Sequence, residues 1–147
     1  MSVRIGFIGS GNISRSHLVN LVRMPDVEVV ALCDIAEAQI MAAHEDVNQR
    51  LLKMMGDDAP KLKAAAYTSH QVMFQKERLD GVYICLPPWV HGPAEEAAID
   101  AGVPMLVEKP VALTLPVAER VLSGLKRKNL FAASGYQLRY APEGHEV

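Results

Sequence analysis

Four short clusters in this sequence carry residue types that can do chemistry. The first is Gly9-Ser10-Gly11-Asn12-Ile13-Ser14, directly behind a strand-like run and ahead of an amphipathic stretch. Two glycines spaced this way suit a diphosphate: Gly9 allows the tight turn, and Gly11 lets a phosphate reach the backbone. The amides of Asn12 and Ile13 then open a helix whose N-terminus offers free N–H donors and a positive dipole. Ser14 stands where the strict motif has its third glycine, small enough for close packing but with a side chain the motif lacks.

The second cluster is a single carboxylate, Asp34, closing the next apolar run 23 positions beyond Gly11, against about 20 expected for the acid that binds an adenosine ribose. It accepts hydrogen bonds from both ribose hydroxyls and repels a 2′-phosphate, and Ile35, not an arginine, follows. NAD is therefore favoured over NADP. An Asp ahead of a helix also serves as an N-cap, and that role stays open for Asp34.

The third cluster is Pro87-Pro88-Trp89-Val90-His91-Gly92, where two prolines stop a strand and set a turn. In a doubly wound fold this loop is expected beneath the nicotinamide half of the cofactor, with Pro87 and His91 as candidate contacts. His91 is balanced between that role and simply beginning a helix, and Trp89 reads as a cover for core. The fourth is Glu108-Lys109-Pro110. A lysine held at a ligand-binding edge contacts a nicotinamide ribose or a substrate hydroxyl, and burial there would depress its pKa towards base chemistry.

These clusters need a scaffold that brings strand ends together. Continuous apolar runs at 3–8, 27–32, 82–86 and 105–107 lack polar alternation, which means strands covered on both faces in a parallel sheet. Helical spacing lies between them, most clearly at Ile40, Ala43, Val47, Leu51 and Met54. The predicted order is strand, helix 12–24, strand, helix 36–55, a weak strand 65–68 and helix 69–77. Strand 81–86, helix 91–101, strand 104–108, helix 115–128 and strand 130–134 complete it. The fold class is α/β, a Rossmann-type doubly wound, mainly parallel sheet with helices on both faces. Its strands' C-terminal ends share one edge, where such sheets bind ligands.

Composition sets outer bounds. The 147 residues suit one domain; half are hydrophobic, 22% are charged, and the net charge is −2. Interspersed charge of that size gives no drive towards nucleic acid or an anionic membrane surface. No apolar stretch approaches the roughly 20 residues a membrane helix needs, and the N-terminus does not read as a signal peptide, so a cytoplasmic protein is expected. Cys33 and Cys85 sit inside apolar runs and read as small buried residues, and no metal site is expected. His17, His44, His70 and His145 read as surface or loop residues.

Together with Tyr136-Gln137-Leu138-Arg139-Tyr140-Ala141-Pro142, these clusters resemble the family of glucose-fructose oxidoreductase, inositol dehydrogenase and rhizopine-catabolism proteins (Gfo/Idh/MocA) along nearly the whole chain. The Glu-Lys-Pro tripeptide and the Tyr-Gln-x-Arg run carry more of that likeness than the glycines do. The resemblance implies that residues 1–135 are the dinucleotide-binding domain of an oxidoreductase. Residues 136–147 then begin a connection to a C-terminal half, absent here, that binds a sugar, polyol or related alcohol. It implies Lys109 near the reacting carbon as the catalytic residue, and Glu108 and Gln137 near the nicotinamide. Hydride passes between the nicotinamide and a carbinol carbon in that family. The Asp-x-x-x-His pattern that completes its site has no match after Pro142, and family members pair through the absent half, so a homo-oligomer is left open. The alternative is a free-standing, non-catalytic NAD-binding sensor or subunit module.

Overall fold

The computed structural model describes residues 2–137. Six strands alternate with five helices: β1 (Val3–Ile8), α1 (Asn12–Leu21), β2 (Val27–Cys33), α2 (Glu37–Met55), β3 (Ala65–Tyr67), α3 (His70–Lys76), β4 (Gly81–Ile84), α4 (Pro93–Ala101), β5 (Met105–Val107), α5 (Leu115–Lys128) and β6 (Ala132–Ser134). The strands form one sheet in the order β3-β2-β1-β4-β5-β6, every neighbouring pair parallel. This is the doubly wound α/β fold the apolar runs predict.

Alternation along the strands divides the core between the two faces. On one face Ile5 and Phe7 of β1 pack with Val29 and Leu32 of β2 against Leu18 of α1 and the stripe Ile40, Ala43, Val47 and Leu51 of α2. On the other, Ile8, Val82, Ile84, Met105 and Val107 meet Met73 of α3, Ala98 and Ile99 of α4 and Val121 of α5. Between Ile5 and Gly6 the register against β2 slips, Ile5 facing Val29 and Gly6 facing Ala31. Val30 is the extra residue of that bulge, which is why adjacent Val30 and Ala31 both join the second cluster.

Several predicted boundaries move. The first helix ends at Leu21, not 24, and the stripe on α2 stops at Leu51, because Met54 is exposed. Met73 of α3 is buried, whereas Met41, Met54 and Met55 of α2 are exposed. The fourth strand ends at Ile84, and α4 begins at Pro93 because Gly92, at φ +122, turns the chain first. Cys33 and Cys85 are buried and unbridged. Burial, with the nearby Asp34 and Glu108 charges, pushes their thiols up to about 11 and about 12, so both stay protonated. No helix among the described residues is long and apolar enough to cross a membrane. Leu138, Arg139, Tyr140, Ala141, Pro142 and His145 lie outside the described residues.

Candidate cofactor site

Parallel strands put the ends of β1, β2, β4 and β5 on one edge, and each carries one of the chemical clusters. Past β1 the chain turns at Gly9, φ +92, whose amide donates to the Cys33 carbonyl at 2.8 Å. A Cβ there would stand 2.2 Å from the Cys85 carbonyl oxygen, so β1 and β4 leave the sheet too close together for any side chain. Gly11 differs: it is the N-cap of α1, with no side-chain cap, and a Cβ on it would meet nothing within 4 Å. The open space above Gly11 and the uncapped amides of Asn12 and Ile13 fit a diphosphate. Ser14 is fully buried, and its hydroxyl donates to the Gly11 carbonyl at 2.6 Å. A hydroxyl in place of the third glycine thus braces the turn.

Asp34 is wired to the same loop. One carboxylate oxygen accepts the Ser10 amide at 2.9 Å, and the other accepts the Ala36 amide at 3.1 Å. Asp34 is not the N-cap of α2; Ala36 holds that position without a side-chain cap. A carboxylate has about four lone-pair sites, so two remain for ribose hydroxyls. Arg15 ties the loop from α1, its guanidinium donating to the Ser10 carbonyl and the Gln39 side chain, both at 3.2 Å.

Gly9, Gly11, Asp34 and Pro87 line one cavity of about 510 Å³, together with Ile35, Thr68, His70 and Trp89. That volume lies within the usual 300–1,000 Å³ of a ligand site. The residues present therefore fit the adenosine and diphosphate portions of a dinucleotide. Trp89 is 75% exposed on this cavity, which corrects its reading as core cover. His70 also corrects its reading: it lines the cavity, and its Nε2 is buried without a partner. Burial lowers its pKa, so the ring is neutral.

His91 faces inward. Its Nδ1 meets Glu95 Oε1 at 2.5 Å and its Nε2 meets the Leu86 carbonyl at 3.2 Å, while Glu95 Oε2 accepts the Gly92 amide at 2.6 Å. Both ring partners are acceptors, so both nitrogens donate and His91 is imidazolium. The Glu95 hydrogen bond accordingly raises its pKa. Both ring nitrogens are thus engaged within the protein, so His91 holds the loop, and it does not begin α4.

Glu108 and Lys109 follow β5 on the same edge, beyond the cavity. Glu108 is buried; Oε1 meets His17 Nε2 at 2.8 Å, and Oε2 accepts the Lys109 amide at 3.2 Å. His17, read from sequence as a surface or loop residue, instead ties α1 to the Glu-Lys-Pro corner. A Cβ on Gly135 would stand 2.8 Å from the Glu108 carboxyl carbon, so only glycine lets the chain past β6 run beside it. Lys109 itself is exposed, as is Gln137, whose amide donates to the Gly135 carbonyl at 3.1 Å. Burial of Lys109 is thus not provided by the described residues. His44 lies on α2, away from these groups. Among the described residues no group of three or more His, Cys, Asp or Glu is arranged to hold a metal.

Sequence reasoning missed Thr68, His70, Trp89, Arg15 and His17. Thr68, His70 and Trp89 all follow strand ends, the one available signal; Arg15 and His17 lie on α1, and only packing reveals their partners.

The likenesses to known proteins agree with this geometry. Residues 3–136 match the family described as "Oxidoreductase family, NAD-binding Rossmann fold" (GFO_IDH_MocA). The chain is 30% identical over 146 residues to dTDP-3,4-didehydro-2,6-dideoxy-alpha-D-glucose 3-reductase of Streptomyces antibioticus, covering 97% of this chain and 39% of that protein. It is 33% identical over 114 residues to a glycosyl hydrolase family 109 protein of Parabacteroides distasonis, covering 77% of this chain and 23% of the other. Among solved structures, myo-inositol dehydrogenase from Lactobacillus casei, in complex with NAD(H) and myo-inositol, superposes with a TM-score of 0.82 at 27% identity, over 97% of this chain and 39% of that one. The chain thus spans less than half the length of these relatives. With the profile covering nearly every described residue, and the glycine turn, Asp34 and the Glu108-Lys109-Pro110 corner on one sheet edge, this chain belongs to the Gfo/Idh/MocA oxidoreductase family and constitutes its NAD-binding Rossmann fold.

Proposed function

We propose that this chain is the cofactor-binding part of an NAD-dependent oxidoreductase acting on a CH–OH group of a sugar, polyol or related alcohol. The observation that carries the reading is the open cradle over Gly11, sharing one cavity with Asp34, on the sheet edge that also bears Lys109. When bound, the nicotinamide supplies hydride exchange with the carbinol carbon. The chain's own residues do the rest. The α1 amides hold the diphosphate, Asp34 accepts from the ribose hydroxyls, and Lys109 polarises the substrate hydroxyl or helps remove its proton.

Residues 1–135 are the dinucleotide domain, and residues from 136 onward lead towards a substrate-binding half. That half covers Lys109 and supplies the second proton-transfer group, in a cytoplasmic protein that is open to self-association. The substrate class follows from the relatives, which include an inositol dehydrogenase and a nucleotide-sugar reductase.

Calorimetric titration of the 147-residue chain with NAD and NADP tests the cofactor role. NAD is expected to bind, and more tightly than NADP; no heat from either at millimolar concentration overturns the reading. Asp34→Ala is expected to narrow the preference for NAD, because the carboxylate's repulsion of a 2′-phosphate goes with its ribose bonds. An unchanged ratio in the same titrations would leave Asp34 only its structural bonds to Ser10 and Ala36.

A further inference from the structure

Two ties join the glycine turn to the start of α2, and they carry opposite charge. The first is Asp34, whose carboxylate accepts the Ser10 amide at 2.9 Å and the Ala36 amide at 3.1 Å. The second is Arg15 of α1, whose Nε donates to the Ser10 carbonyl and whose Nη2 donates to Gln39 Oε1, both at 3.2 Å. Ser10 thus has its amide on an anion and its carbonyl on a cation. Gln39, the third residue of α2, lines the cavity beside Gly11 together with Asp34 and Ile35.

Asp34 by itself accounts for a preference for NAD, and the ribose has no need of Arg15. Both partners of Arg15 are neutral groups, and among the described residues no carboxylate lies within ion-pair distance of it. A guanidinium has five N–H donors, so three are left here with the full positive charge. The side chain is half-buried, which leaves that charge less screened than on an open surface. A planar, permanently charged fork of this kind suits a phosphate. With the ribose on Asp34, its two hydroxyls share the carboxylate. A phosphate on the 2′-oxygen is repelled from Asp34 and moves aside, and the neighbouring tie, fixed to the same Ser10 and the same helix, is the Arg15–Gln39 bridge. Because Arg15 occupies Gln39 Oε1, the amide NH2 group of Gln39 is its free end and adds a second kind of donor.

We propose that Arg15, aided by Gln39, is a second determinant of cofactor selectivity, a cationic contact for a 2′-phosphate that works against Asp34. Asp34 sets the preference for NAD, and Arg15 limits how strongly NADP is rejected. This rests on the cofactor role proposed above.

The test is calorimetric titration of the 147-residue chain carrying Asp34→Ala, with and without Arg15→Gln, against NAD and NADP. Asp34→Ala alone is expected to bind both. Adding Arg15→Gln is expected to raise the ratio of the NADP to the NAD dissociation constant about tenfold, the lower end for a hydrogen bond to a charged group. Any loosening of the Ser10 turn weakens both cofactors alike and cancels in that ratio. Arg15→Lys keeps the charge but cannot span Ser10 and Gln39, so in the same background it is expected to retain most of the NADP affinity. Adenosine 2′,5′-bisphosphate and AMP, which differ only in the 2′-phosphate, are expected to repeat the result without the nicotinamide half. A ratio unmoved by Arg15→Gln, equal losses for the two cofactors, or Arg15→Lys behaving as Arg15→Gln overturns the assignment and leaves the cofactor role standing. So does heat from NAD with none from NADP in Asp34→Ala. No heat from either cofactor in the unsubstituted chain removes both.

Discussion

Gly9→Ala is expected to destabilise the fold by about 3–5 kcal/mol, the sum of a strained left-handed backbone and a clash that cannot relax. The glycine sits at φ +92, and the added methyl would lie 2.2 Å from the Cys85 carbonyl oxygen, a backbone atom locked into the sheet edge. Against a typical total of about 5–15 kcal/mol, that leaves a marginal domain. Urea denaturation measures it, and a loss under about 1 kcal/mol would show that β1 and β4 separate more easily than their packing suggests. Gly11→Ala, two residues on, is the matched control. Its backbone is extended and its Cβ meets nothing, so stability should hold within about 0.5 kcal/mol. NAD affinity should nevertheless fall about tenfold or more, since each charged hydrogen bond displaced is worth about 1.5–3 kcal/mol.

Glu95→Ala is the second large effect. Its carboxylate is fully buried, bonded to the His91 ring and the Gly92 amide, and the His91 side chain is 1% exposed. Removing one member of a buried ion pair leaves the other charged and unpaired, at a cost of about 3–5 kcal/mol. The pair also gives stability a pH dependence. Its hydrogen bond with Glu95, chiefly, raises the His91 pKa above the ordinary 6.5. The contribution is therefore complete below 6.5 and is lost as pH rises through the folded value. His70, lowered by burial, acts with the opposite sign, so the comparison that isolates the effect is with His91→Gln. Melting temperatures of the two proteins should converge as pH rises past about 6.5; a constant gap would mean that His91 is neutral in the fold.

Each of these effects belongs to a residue whose type was visible in the sequence but whose partner was not. Gly9 is legible as a turn glycine from its place after an apolar run. That the Cys85 carbonyl forbids a side chain there depends on β1 lying beside β4, 76 residues away along the chain. His91 was balanced between two roles because Glu95, one helical turn on, reads as an ordinary surface acid until α4 packs against the sheet and buries it.

The amino-acid order alone determined the alternation of strands and helices, the glycine turn, the acid that closes β2 and the Glu-Lys-Pro corner. Each is a local matter of apolar periodicity, φ preference or short spacing, which a chain carries wherever it folds. Only the tertiary structure decided that Trp89 stands open on the cavity beside Gly11, that His91 turns inward and that His17 reaches Glu108. Those outcomes depend on which strand ends become neighbours, and a parallel sheet joins residues tens of positions apart that no local pattern pairs in advance.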